Sequence, residues 1–205
     1  MPNHVTNKLT IYGDENKIKE CLSAIKGIWI DYPKENNRRI DFNKIIPMPE
    51  EIKNTQSPNR DEKQAKELIK KYGYADWYDW SIANWGTKWN AYSFDEYVSE
   101  GNVIIFNTAW STPKPVILAL SKKYPELEFE VIYADEDWGH NYGEYTFKNG
   151  KTIQDERYDV SNGDSDDIVR ILQGAPWWEE EGCNSYDEWL NAQSKKIVSQ
   201  SKSID

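Results

Sequence analysis

The stretch Asn84-Trp85-Gly86-Thr87-Lys88-Trp89-Asn90 carries the most pointed chemistry in this sequence. Two indoles separated by a glycine and a lysine can make a flat apolar platform with donors at its edge. Such a platform suits the stacking of a base, a sugar or a peptide side chain. A structural reading competes with it, in which Trp85 and Trp89 plug one end of a sheet while Asn84 and Asn90 bond loop backbone. Gly86-Thr87-Lys88 is not a phosphate loop, because the upstream glycine and the strand-to-helix setting are missing. Four positions apart, the indoles share a face only in a helix, and Gly86 lowers helical odds by about 1 kcal/mol relative to alanine. One ring is therefore expected inside and the other partly outside.

Asp135, Glu136, Asp137 and His140 place four oxygen or nitrogen donors at a strand end. Such a group could hold a hard divalent ion, or His140 could act as a base oriented by Asp137. The spacing matches no defined metal loop, and acids leaving a strand are ordinarily solvated, so no metal is expected. His4, at the start of the first strand, reads as a hydrogen-bonded structural histidine. Trp177-Trp178, followed by Glu179, Glu180 and Glu181, joins two large apolar faces to three acids. That is the composition of an interface anchor with an acidic rim, or of a pin that holds the C-terminal segment to the main domain. No Ser-His-Asp, Cys-His, HExxH or dinucleotide motif occurs. Cys21 and Cys183 cannot supply a disulfide framework, a thiolate zinc site or an iron–sulfur cluster. No cofactor and no catalytic residue are expected.

The elements that must position these groups follow from periodicity. In residues 4–12, Val5, Asn7, Leu9 and Ile11 alternate with Thr6, Lys8 and Thr10, the pattern of a half-buried strand. Asp14 can cap a helix over 14–26 with Ile18, Cys21, Leu22 and Ile25 on one stripe. Residues 38–46 read as a second strand, ended by Pro47-Met48-Pro49. A helix is expected over 61–72, followed by a segment, 72–97, in which aromatics are dense. Residues 102–110 read as a central strand, and Thr112-Pro113 opens a helix over 113–124, with the threonine hydroxyl as cap. Strands are expected over 127–134 and 141–148, the latter closed by Asn149-Gly150, a strong turn signal. Beyond it, short helices are read at 164–172 and 185–190, before a polar tail.

Two strand–helix–strand units on one antiparallel sheet are the split βαβ, ferredoxin-like arrangement of an α+β fold. Residues 1–150 are expected to form that domain, with a helical, aromatic-rich insertion at about 48–97, and residues 151–205 an acidic helical extension. Both long helices should lie on one face of the sheet.

The 205 residues include 35 Asp and Glu against 25 Lys and Arg, a formal charge of −10, with 10 Trp, 13 Tyr and 5 Phe. The charge is uneven: 14 basic and 11 acidic residues in 1–73 leave +3, so the rest carries −13. An acidic surface repels phosphate backbones, which disfavours duplex nucleic acid as a partner. The longest apolar run, Val116 to Leu120, is far short of a membrane span, and the first residues do not read as a secretory signal. A soluble, cytoplasmic protein is expected.

Five strings are familiar together: Met1 to Asn7, Asp41 to Glu50, Trp80 to Asn90, Phe106 to Ser111 and Tyr133 to Asp137. Over about residues 1–150 the chain resembles the YubB ferredoxin-like domain family, uncharacterised proteins of phages and plasmids. The resemblance implies the ferredoxin-like fold and a mobile-element origin, and brings no activity with it. The expected function is a non-enzymatic binding or regulatory module that contacts a host or phage protein. Its contact residues would be Asn84, Trp85, Lys88, Trp89, Trp177 and Trp178. Two alternatives stand beside it: a carboxylate- and metal-dependent hydrolase using Asp135, Asp137 and His140, and a single-stranded nucleic-acid binder stacking bases on Trp85 and Trp89.

Overall fold

The computed structural model describes residues 2–28, 37–93, 101–137, 141–158 and Gly182. Strand β1 (His4–Tyr12) runs antiparallel to both β4 (Val103–Ala109) and β5 (Glu128–Asp135). The sheet continues through β6 (Gly143–Lys148) to β7 (Lys151–Arg157), in the order β4-β1-β5-β6-β7. Alternation along β1 decides which side becomes the core. Leu9 lies opposite Ile104 and Val131, Ile11 opposite Phe129, and Asn7 between Phe106 and Tyr133. All of these are buried. The Asn7 amide donates to Val5 O and Thr108 Oγ1, both at 2.9 Å, which satisfies its NH₂ group inside the core.

Helices α1 (Glu15–Ile25) and α5 (Lys114–Lys123) cover that side together. Ile18, Cys21 and Ile25 of α1 and Val116, Ile117 and Leu120 of α5 join the inward strand residues in one apolar cluster. Asp14 starts α1 by accepting the N–H groups of Asn16 and Lys17 at 3.0 and 3.1 Å. Both β4 and β5 oppose β1, so they run parallel to each other with β1 between them, and α5 makes the crossover. That is a split βαβ unit, and the fold is α+β and ferredoxin-like.

The strand expected over 38–46 does not join this sheet. Strand pairing here is confined to Asn37–Arg38 (β3), which pairs with Gly27–Ile28 (β2) in a separate two-residue ladder. Phe42–Lys44 instead forms a 3₁₀ turn. Side chains take the backbone groups a ladder would need: Asp41 accepts Asn43 N–H at 3.0 Å, and Asn90 Oδ1 accepts Phe42 N–H at 3.0 Å. Ile40 and Phe42 still reach the core, which explains their strand-like apolar pattern. On the outer edge of β4 the described pairing is a single bridge, Tyr92 to Asn107.

The insertion contributes α2 (Glu50–Lys53), α3 (Glu62–Tyr72) and α4 (Trp77–Trp85). Ile52, Leu68, Trp80 and Trp85 from these helices belong to the same cluster as the sheet residues, so the insertion shares the core. The helix α5 starts one residue later than Thr112 capping would place it. Pro113 occupies the cap position without a side-chain bond, and the Thr112 hydroxyl pairs with Tyr145 Oη at 2.9 Å. Beyond Asn149-Gly150, whose φ angles are 48° and 67°, the chain turns back as β7 rather than leaving the sheet. The Trp177-Trp178 pair, Cys183, His140 and the helices read at 164–172 and 185–190 lie outside the described residues.

Cys21 is fully buried on the inner stripe of α1, and burial pushes its thiol from the ordinary 9.0 up to about 12. The thiolate is the reactive form, so the group is inert at neutral pH. In a Cys183→Ser background, Ellman's reagent at pH 8 should detect no thiol in the native protein and one after full denaturation. Immediate labelling would contradict the packing of α1. The folded state keeps this proton longer than the unfolded one. Its contribution to stability is therefore complete below pH 9 and is lost as pH rises toward 12.

Candidate functional site

Helix α4 sets the direction of the aromatic stretch. Asp76 caps it by accepting the N–H groups of Tyr78 and Asp79 at 2.9 and 3.1 Å. The helix stops at Gly86, whose φ of 77° is the left-handed cap conformation that glycine adopts without strain. A Cβ there would lie 2.7 Å from Pro115 Cδ, so α4 and the start of α5 approach closely only because this residue has no side chain. Thr87 is buried and exchanges bonds with the backbone of Ala109, donating to its O at 2.7 Å and accepting its N–H at 3.1 Å. Ser111 Oγ donates to Gly86 O.

These restraints send the two indoles in opposite directions. Trp85 is 4% exposed, donates from Nε1 to Ile46 O at 2.9 Å, and packs edge-on against Phe42 and Trp80. Asn84 bonds back to Trp80 O at 2.9 Å, within its own helix, and Asn90 ties Asp41 and the Phe42 and Ala91 amides together. Trp85, Asn84 and Asn90 thus serve the fold. Lys88 and Trp89 face outward, with Trp89 39% exposed.

The chain brings further rings to Trp89 from elsewhere. Trp110, 42% exposed, follows the end of β4 at a φ of 71°, a left-handed conformation unusual for a bulky residue. It is held there because its N–H donates to Asn3 O at 2.9 Å and its carbonyl accepts from Asn141 Nδ2 at 3.0 Å. Lys88 Nζ lies 4.8 Å from the Trp89 ring centre, 4.7 Å from Trp110 and 5.9 Å from Tyr78. Tyr78 meets Trp110 edge-on, and Tyr92 meets Trp89 in the same way. His4 stacks edge-on against Tyr92, and its Nδ1 lies 2.6 Å from Tyr92 Oη, which bears out its reading as a structural histidine. Ile82, one turn after Tyr78 on α4, is also exposed. The result is a surface cluster of aromatic rings around one ammonium group.

Trp110 and Tyr78 were not legible as members of this cluster. The only local hint is a tryptophan immediately after an apolar strand, and its contact with Lys88 depends on a sheet register set by residues far away in sequence.

Asp135 closes the neighbouring loop and is 5% exposed. Its Oδ1 accepts Asn3 Nδ2 at 3.2 Å and Asp137 N–H at 2.9 Å, and its Oδ2 accepts Asn141 Nδ2 at 3.2 Å. Glu136 Oε1 accepts His4 N–H at 2.9 Å. Asp135 therefore works as a staple that holds Asn141, and through it the Trp110 carbonyl. Among the described residues, no group of three or more His, Cys, Asp or Glu side chains could share a metal ion.

Two outcomes test this division of labour. Trp85→Ala should cost about 3–5 kcal/mol of unfolding free energy, while Trp89→Ala should stay within about 1 kcal/mol. Equal losses would make the whole stretch a structural plug. Asp135→Ala should cost about 1–3 kcal/mol by leaving donors without their acceptor. Mg²⁺, Ca²⁺ or Mn²⁺ should shift the wild-type melting temperature little, whereas occupancy at 100 times a dissociation constant would add about 2.7 kcal/mol. A large ion-specific shift that Asp135→Asn abolishes would instead identify a metal site.

One family model matches the chain, a ferredoxin-like domain in Api92-like protein, over residues 84–173. The matched stretch begins at Asn84 and takes in Lys88, Trp89, Trp110 and Asp135, along with β4, α5 and β5 to β7, and leaves out β1 and α1. No curated protein and no solved structure matches. Over residues 84–173 the chain is similar to the ferredoxin-like domain in Api92-like protein.

Proposed function

We propose that the chain is a non-enzymatic binding module whose contact surface is the cluster around Lys88, Trp89 and Trp110. The carrying observation is that two indoles are 39% and 42% exposed in a chain that buries Trp80 and Trp85 almost completely. Tryptophan at a surface offers a large apolar area at low entropic cost, and such residues dominate the energy of protein contacts. The partner in this reading is a host or phage protein, encountered in the cytoplasm. The mobile-element origin rests on the likeness to the YubB family. The division at about 150 into a ferredoxin-like domain and an acidic extension rests on the polar composition after Gly150, although β7 carries the sheet on to Arg157. Trp177 and Trp178 are proposed as a second anchor on that extension.

The hydrolase reading has less support, since both Asp135 oxygens already accept hydrogen bonds that hold the loop. The nucleic-acid reading draws on Lys88 beside two exposed indoles but meets a net charge of −10.

Capture from host extract tests the proposal. Immobilised wild type should retain a protein that the Trp89→Ala/Trp110→Gly double variant loses and a control, Ile153→Ser on the far edge of the sheet, keeps. Glycine suits the left-handed backbone at 110, and melting curves confirm that the variants are folded. A captured set that the double variant leaves unchanged would remove the cluster as the contact surface.

A further inference from the structure

The aromatic cluster is already occupied by a cation, and that cation belongs to the chain itself. Lys88 Nζ sits between two indoles at 4.8 and 4.7 Å, within reach of the Tyr78 ring, the arrangement that a ring quadrupole offers to a positive charge. Among the described residues Lys88 makes no ion pair, so only the rings hold it. Cation–π attraction is weak where water reaches the site, and both indoles are partly exposed, so this lysine can swing out. The rings it would leave remain braced, Trp89 by Tyr92 and Trp110 by Tyr78, so the slot between them is organised in advance.

From this we infer that Lys88 is a place-holder for an arginine side chain offered by a basic segment of the partner, an inference that rests on the cluster being a protein contact. A guanidinium is planar and weakly hydrated, and it stacks on an indole face better than an ammonium does. The surroundings favour a positive ligand. The chain carries −10 overall, and the exposed carboxylates of Glu136 and Asp137 leave the strand end that Asp135 and Asn141 tie to Trp110. A phosphate backbone would meet the same field with the wrong sign. The displaced Lys88 stays near the bound arginine as a like charge and so weakens binding. Lys88 is thus a competitor of the ligand, and removing its charge strengthens binding.

The test is a fluorescence titration of the full chain with a short arginine- and glycine-containing peptide, the same peptide with citrulline in place of arginine, and oligothymidylate. The arginine peptide should bind, and citrulline, which keeps the shape and removes the charge, should weaken binding on the order of tenfold. Lys88→Met should bind the arginine peptide more tightly than wild type. Trp89→Ala and Trp110→Gly should each lose most of the affinity, and melting curves of both keep folding separate from binding. Weaker binding by Lys88→Met, or equal binding of the citrulline peptide, would overturn the inference. Oligothymidylate binding that Lys88→Met abolishes would overturn it in favour of a nucleic-acid surface. If host-extract capture depends on Trp89 and Trp110 while the arginine peptide is ignored, the contact surface stands and the place-holder falls. If neither depends on them, both fall.

Discussion

Strand β1 has to be paired along both of its edges, and most of this structure follows from that requirement. Its backbone lies in two ladders, and its inward residues Val5, Asn7, Leu9 and Ile11 have no access to solvent. A buried backbone group without a partner is costly, so β4 and β5 must both arrive in register from about a hundred residues downstream. The register also fixes the neighbours of the start of the strand. His4 lies opposite Ala109, and Val5 lies opposite Asp135. The residues that follow, Trp110 and Glu136, are then bonded to the backbone of Asn3 and His4. Two loops that are remote in sequence emerge side by side because one strand cannot be left half-paired.

The remaining members of the cluster arrive by a different device. Helix α4 is apolar nearly all round, so something other than amphipathicity must decide which of its aromatic rings are committed to the core. Its left-handed end at Gly86 and the buried Thr87 hydroxyl decide this together. The first draws the backbone against Pro115, and the second fastens it to the end of β4. The next two residues, Lys88 and Trp89, then lie at the surface before Asn90 and Ala91 turn back into the fold. Lys88 and Trp89 are therefore presented by rigid backbone although they belong to no helix or strand.

Legibility in the sequence followed the range of the forces involved. The alternation of β1, the Asp14 cap of α1, the Asn149-Gly150 turn and the stripe on α5 are local and could be read directly. The unequal burial of Trp85 and Trp89 was legible for the same reason, since glycine between them breaks a shared face. The turn at Phe42–Lys44 was not, because Ile40 and Phe42 carry a strand's apolar spacing while Asn90, far along the chain, takes the backbone bond. Strand β7 was missed because Lys151–Arg157 is polar on both sides and so lacks a period of two. The place of Trp110 in the aromatic cluster is not legible because its left-handed backbone is imposed by Asn3 and Asn141, which no local pattern announces.

The polarity of β7 has a consequence for how copies of this protein meet. An edge strand is an open template on which a foreign strand can zip, and long apolar edges seed fibrillar self-association. Among the described residues β7 ends the sheet, and this edge is written in charge: Lys151, Asp155, Glu156 and Arg157 stand along seven residues, with Ile153 as the lone large apolar side chain among them. A second copy docking edge to edge in antiparallel register would bring Lys151 toward Arg157 and strip water from both. The sheet therefore resists growing by its own repetition. That lets the molecule display tryptophan on its surface at high concentration without its strands becoming the adhesive.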